Sequence, residues 1–197
     1  MVGTQLSRML ADQRVRPDAL SAFALARRAF MEGRRLEMQE LAAELGVSRA
    51  TVFRWVGSRD ELLVEVIWSL TEPTLRRAVS AAEGLRGSAR LVSVMGAFAE
   101  ATIDSPSFMG FVQREPERAL RLLTTRASWY QSRLAGAVEQ LLREETEAGA
   151  MTPPLPMHDL AYLMLRIVEA FVYADLIAGE TPDPTKVRQA MGVLLRE

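Results

Sequence analysis

The chain contains no cysteine and only one histidine, His158, and these two shortages narrow its chemistry. Without thiols there is no disulfide framework, no thiolate metal site and no cysteine nucleophile, a pattern that fits a reducing compartment. A single histidine just after Pro156 reads as a surface or capping residue rather than a base. No serine sits in a nucleophile-elbow context, no glycine-rich loop follows a strand pattern, and no His/Asp/Glu cluster has metal-ligand spacing. Neither a cofactor nor a metal is therefore expected, and an enzyme is disfavoured. Long apolar runs are also missing. The N-terminal stretch has no apolar core of signal-peptide length. The most apolar helix candidate, residues 161–178, carries Arg166, Glu169 and Asp175, which argues against a membrane span. A cytoplasmic protein is expected. Lysine is almost absent as well: Lys186 is the only one.

What is present suits a folded chain. Its 197 residues are 49% hydrophobic, enough to bury a substantial core as one large or two small domains. Net charge is only −1, yet it is unevenly spread: residues 1–59 carry a net +4 and the remainder −5. A basic N-terminal third on an acidic body is the asymmetry of a nucleic-acid reader joined to another function.

Residues 36–63, LEMQELAAELGVSRATVFRWVGSRDELL, read as a helix-turn-helix. Leu41, Leu45, Val47 and Val52 can close two short helices on a shared core, and Ala42 is small where they would cross. Gly46 supplies the left-handed residue that ends the first helix. Ser48 is the N-cap of a second helix, Arg49 to Trp55. That helix would present Arg49, Ala50, Thr51 and Arg54 to a major groove. Arg49 can pair with guanine and the Thr51 methyl can touch thymine. Arg34 and Arg35, in the preceding loop, are candidates for phosphate contact, and Arg8, Arg14 and Arg16 in an N-terminal arm (residues 1–16) for phosphates or the minor groove.

The run Met38–Gln39–Glu40–Leu41–Ala42 … Leu45–Gly46–Val47–Ser48–Arg49–Ala50–Thr51–Val52–Phe53–Arg54, followed by Ser58–Arg59–Asp60–Glu61–Leu62–Leu63, resembles the DNA-binding domain of TetR-family regulators. Arg54–Trp55–Val56–Gly57–Ser58–Arg59 with residues 68–75 further resembles the QsdR-type branch, linked to lactone catabolism. The resemblance implies an all-α fold: a three-helix DNA-binding domain over residues 1–58 and a helical ligand-binding and dimerisation domain over 59–197. It implies DNA contacts from Arg34, Arg35, Ser48, Arg49, Ala50, Thr51, Phe53, Arg54, Trp55 and Arg59. Many members carry Tyr in place of Phe53 and His in place of Trp55. Phe53 lacks the hydroxyl that would bond a phosphate, and the Trp55 indole offers one donor.

The rest of the chain reads as helices, with no alternating strand pattern and no internal repeat. Pro17 and Gly33 bracket a first helix. Ser58 and Glu61 form a capping box for a helix running toward Val79, in which Pro73 predicts a kink or break near residues 69–72. Ser88 is expected to cap a helix ending at Ile103. Pro106 and Pro116 open short helices. Longer ones are expected over 126–148, 158–178 and 185–196, and Glu144–Glu145 reads as a solvated face.

The middle of the chain is rich in methionine and aromatic residues: Trp68, Met95, Phe98, Phe108, Met109 and Phe111 in its first half, Trp129, Tyr130, Met164 and Tyr173 in its second. Each could be ordinary core; as a set they suit the apolar effector cavity that the resemblance implies. Arg133 and Glu169 are candidate polar handles, while Arg166 reads as a structural ion-pair member. The last two helices are apolar on more than one face, and the resemblance implies that they pair with a second copy, as two half-sites on DNA require. The expectation is a homodimeric regulator, a repressor that binds a palindromic double-stranded operator and is released by a small apolar effector, a lactone or acyl compound. An all-α interaction adaptor without effector control and a small helical enzyme are the competing classes.

Overall fold

The computed structural model describes residues 17–196, so the N-terminal arm with Arg8, Arg14 and Arg16 lies outside the described residues. Among the described residues there are eleven α-helices and no strand. They are α1 (Ala19–Met31), α2 (Met38–Leu45), α3 (Arg49–Val56), α4 (Arg59–Ala81), α5 (Gly87–Ile103), α6 (Pro106–Arg114), α7 (Pro116–Thr124), α8 (Tyr130–Glu147), α9 (Met157–Val172), α10 (Ala174–Ala178) and α11 (Pro184–Leu194). The fold class is all-α, as the sequence implies. Among the described residues no helix is long and apolar enough to cross a membrane.

Local chemistry sets the boundaries. Asp18 caps α1, its carboxylate accepting the Ser21 amide at 2.8 Å, so Pro17 lies just before the helix rather than in its first turn. Ser48 accepts the Thr51 amide at 3.1 Å to start α3, and Ser58 and Glu61 exchange bonds of 3.1 and 2.6 Å at the head of α4. The single helix expected over 158–178 is broken at Tyr173 into two, and three further sequence expectations need correction. Pro73 does not break α4, which runs through it. Hydroxyls of Ser69, Thr71 and Thr74 occupy the Val66, Ile67 and Leu70 carbonyls around the proline, and Trp68, Thr71, Leu75 and Ala78 are buried on both sides of it. Packing holds the helix where local propensity alone would end it. Ser88 caps nothing; it lies inside α5 and donates to the Leu195 carbonyl at 2.9 Å, tying the chain's last helix to α5. Glu145 is buried, not solvated, because it accepts the Gly87 amide at 2.5 Å and pairs with Arg90 at the start of α5. Burial works to raise its pKa, but these partners win and hold it below the usual carboxylate range.

A single apolar cluster extends from Leu25 in α1 to Leu195 beyond α11. α1 packs on α2, α3, α4 and α6, with Phe30 and Phe111 rings 5.8 Å apart. α5, α8, α9 and α11 form the body, and α5 packs on both α4 and α11. Leu160, Met164, Val187 and Met191 are wholly buried within one chain. Leu163, Ile177 and Val193 stay exposed on α9, α10 and α11.

Candidate nucleic-acid interface and ligand cavity

The turn between α2 and α3 is built as its residue types require. Gly46 ends α2 at φ 66° and ψ 29°, the left-handed conformation that any side chain would strain. Val52 is fully buried and anchors α3, so the opposite edge faces outward. Ser48, Arg49, Ala50 and Arg54 are exposed there, with Thr51, Phe53 and Trp55 half-buried. Arg49 lies over the Phe53 ring at 5.2 Å, a cation–aromatic contact made by the ring face and independent of the missing phenol oxygen. Arg34 and Arg35 are exposed beside Glu32 and Glu37, at 2.9 and 2.8 Å.

Arg59 has a different setting from the other candidates. Its guanidinium forks onto Glu115 at 2.8 and 2.6 Å and also reaches the Leu36 carbonyl. Arg118 joins Glu115 at 2.7 Å and Asp60 at 3.1 Å, and Arg121 also pairs with Asp60. The head of α4 is thus clamped to α7, and Arg59 has no free fork for a phosphate. Only its capping-box neighbourhood is legible in the sequence; its partner lies 56 residues away.

Between α4, α5, α8 and α9 lies a pair of adjoining cavities of about 20 and 40 Å³. Phe98, Phe108 and Tyr130 border both; Glu169 and Tyr173 line the inner one. These five of the anticipated residues come together. The others do not line either cavity. Met95 and Met164 are buried core, Phe111 packs on Phe30, and Met109 packs on the core from a half-buried position. Trp68 stands edge-on to Trp129 and Tyr130, at 6.0 and 5.9 Å. Arg133 is exposed and lies over the Trp68 and Trp129 rings at 4.7 and 5.3 Å. The sequence reading missed Thr71, Thr74, Thr102 and Ser105, small hydroxyl residues at the cavity wall that carry no compositional signal.

The polar wall is specific. Thr71 donates to the Ile67 carbonyl, so the Tyr130 hydroxyl, 3.0 Å away, is the donor to Thr71. Burial pushes the Tyr130 pKa up to about 12 and that of Tyr173 well above its ordinary value, so both are neutral donors. Glu169 is pushed up to about 7 by burial, against the opposing pull of Arg166 and Gln131. Arg166 meets both Glu169 oxygens at 2.7 and 2.6 Å and caps the end of α7 through the Thr124 carbonyl at 3.1 Å. With its amide turned to satisfy its neighbours, Gln131 donates to Glu169 at 3.0 Å and to the Leu123 carbonyl at 3.1 Å.

Residues 86–196 match a family model described as the C-terminal domain of tetracyclin repressor-like proteins. No curated protein matches the chain in sequence. Among solved structures, the chain is similar to the transcriptional repressor QsdR of R. erythropolis, from the TetR family. The two share 31% identity over 90% of this chain and 93% of the other, with a TM-score of 0.80. It is also similar to the TetR-family regulator PfmR of Thermus thermophilus, at 20% identity over 89% and 97% of the chains with a TM-score of 0.47. A further similar structure is that of AibR in complex with isovaleryl coenzyme A and operator DNA, at 14% identity over 90% and 97% with a TM-score of 0.48.

Proposed function

This chain belongs to the TetR family of transcriptional regulators, and from that membership we propose that it is a homodimeric repressor released from a palindromic operator by a small apolar effector. Residues up to 58 would form the DNA-binding unit and residues 59–197 the effector and dimerisation unit. The observation that carries the reading is the outward edge of α3, where Arg49, Ala50 and Arg54 are exposed while Val52 fixes the helix from behind. Such a helix, short and capped by Ser48, fits a major groove. Arg49 and Thr51 read bases; Ser48, Phe53, Arg54 and Trp55 sit beside them; Arg34 and Arg35 position the protein on phosphates. Arg59 is better placed to join the reader to the body.

Exposed Leu163, Ile177 and Val193, with half-buried Ile167 and Phe171, support pairing of two copies through the last helices. The cavity beside Phe98, Phe108, Tyr130, Glu169 and Tyr173 supports an effector site, and a lactone or acyl compound suits its apolar walls and few polar groups. The effector must bind the operator-bound and released states with different affinity.

The test is selection of a bound sequence from random double-stranded oligonucleotides, followed by challenge with lactones, acyl esters and carboxylic acids. A two-fold symmetric site released by one class of compound is expected. Recovery of no such site would overturn the regulator reading, and turnover of a panel member would point to an enzyme.

A further inference from the structure

Arg166 and Gln131 line one space and bond the wall of another. On the inner side their partner Glu169 lines the small apolar cavity. On the outer side they line an open groove of about 800 Å³ between the 124–132 segment and α9. The groove also carries Arg126 and His158, and among the described residues no aspartate or glutamate lines it. His158 is bonded to Glu139 at 2.7 Å and Arg166 to Glu169, so Arg126 gives the mouth its positive charge, whereas the cavity is walled by Phe98, Leu134, Leu165 and Val168. Arg166 retains an unsatisfied donor: its Nε is buried without a hydrogen-bond partner. A guanidinium with a spare N–H, lining a groove that carries Arg126 and bonded to a carboxylate of the apolar cavity wall, asks for an acceptor of negative charge at the end of an apolar chain.

We propose that the effector is an amphipathic carboxylic acid, its carboxylate on Arg166 at the inner end of the cationic groove and its apolar chain in the cavity beyond. This rests on the effector reading above and chooses the open acid over the closed, neutral lactone. The acid competes with Glu169 for the same guanidinium. Glu169 then loses its cationic partner and, already held near 7 by burial, takes up a proton. The groups facing it are Arg166 and Tyr173 from the α9 end and Tyr130 and Gln131 from α8. α7 offers only the carbonyls of Leu123 and Thr124, and α5 offers Phe98 and Thr102. Both tyrosines are neutral, so Arg166 is the only charged group that opposes burial there, with the Gln131 amide beside it. Because Arg166 also holds the Thr124 carbonyl, drawing it toward the ligand frees the end of the helix whose other end is clamped to Arg59 and Asp60.

The experiment is titration calorimetry of the full chain with sodium octanoate, γ-octalactone and octylamine, near pH 8, in phosphate and in Tris. Octanoate is expected to bind at least roughly tenfold more tightly than either neutral or cationic analogue, the scale of one charge-assisted hydrogen bond. Its heat should differ between buffers by an amount equivalent to about one proton taken up. Glu169→Gln should keep binding and abolish the buffer difference. Arg166→Gln should weaken octanoate about tenfold or more, and Arg126→Gln, exposed and harmless to the core, several-fold through the lost field. Preference for the lactone, absence of octanoate binding, or octanoate affinity unmoved in Arg126→Gln and in any folded Arg166→Gln overturns the proposal. A recovered operator with no response to octanoate rejects the acid and leaves the regulator standing. Octanoate binding with no recovered operator does the reverse.

Discussion

Arg49 and Arg34 are both exposed arginines near one end of the molecule, but their surroundings separate their roles. Arg49 rides on Phe53 at the start of α3, a seat that fixes its direction; Arg34 sits in a loop beside Glu32. Arg49→Ala should weaken operator binding by about 1–3 kcal/mol and relax one base preference, whereas Arg34→Ala should weaken all sequences alike and lower the salt slope by about one. Binding isotherms on operator and scrambled DNA at several salt concentrations check both. Wild-type affinity in Arg49→Ala would remove α3 as the reader. Glu169 gives a second residue-level outcome. Its folded pKa near 7 lies above its ordinary 4.5, so the folded state holds this proton more tightly than the unfolded chain does. Its contribution to stability is complete below about pH 4.5 and is lost as pH rises through 7, on the order of 2–3 kcal/mol. Glu169→Gln should abolish that loss, read as the difference between the two proteins' denaturation midpoints across the window. Equal pH profiles would show that Glu169 is not strained by burial.

Among the helices, α7 is the one whose two ends belong to different halves of the molecule. Its first turn carries Arg118 and follows Glu115, both bound to the head of α4; its last carbonyls are held by Arg166 and Gln131 at the cavity. The Arg59–Glu115 pair is only 15% and 13% exposed, so Glu115→Gln leaves a partly buried guanidinium short of its counter-ion. Expected are a loss of about 3 kcal/mol in chemical denaturation and a weaker effector response of operator binding. An unchanged stability would reduce the clamp to a surface pairing. The helices themselves were largely legible: Gly46, Ser48 and the Ser58–Glu61 box mark their ends by local chemistry alone. The failures have a common cause. Pro73 continues a helix because buried residues on both sides hold it, Ser88 bonds a carbonyl 107 residues away, and Glu145 answers an amide 58 residues away. The cavity was half legible for the same reason: aromatic residues announce themselves by type, while Met95 and Met164 fill core and threonines line walls only because of where neighbouring helices put them.

At the scale of the whole molecule, the exposed apolar residues of α9 and α11 bear on assembly. Leu163→Glu combined with Val193→Glu alters two exposed sites, so the fold should survive while pairing does not. Light scattering is expected to report a monomer, and operator binding should fall with it; a dimer of unchanged stability would move the interface elsewhere. The interior bears on timing. A cavity of about 20 Å³ has room for a single water molecule, so no molecule the size of an octanoate chain can enter the resting shape. Entry has to wait for the walls to part. The rate at which an inducer takes hold should therefore climb with its concentration and then level off, at a ceiling belonging to the protein's own breathing and common to every ligand that fits.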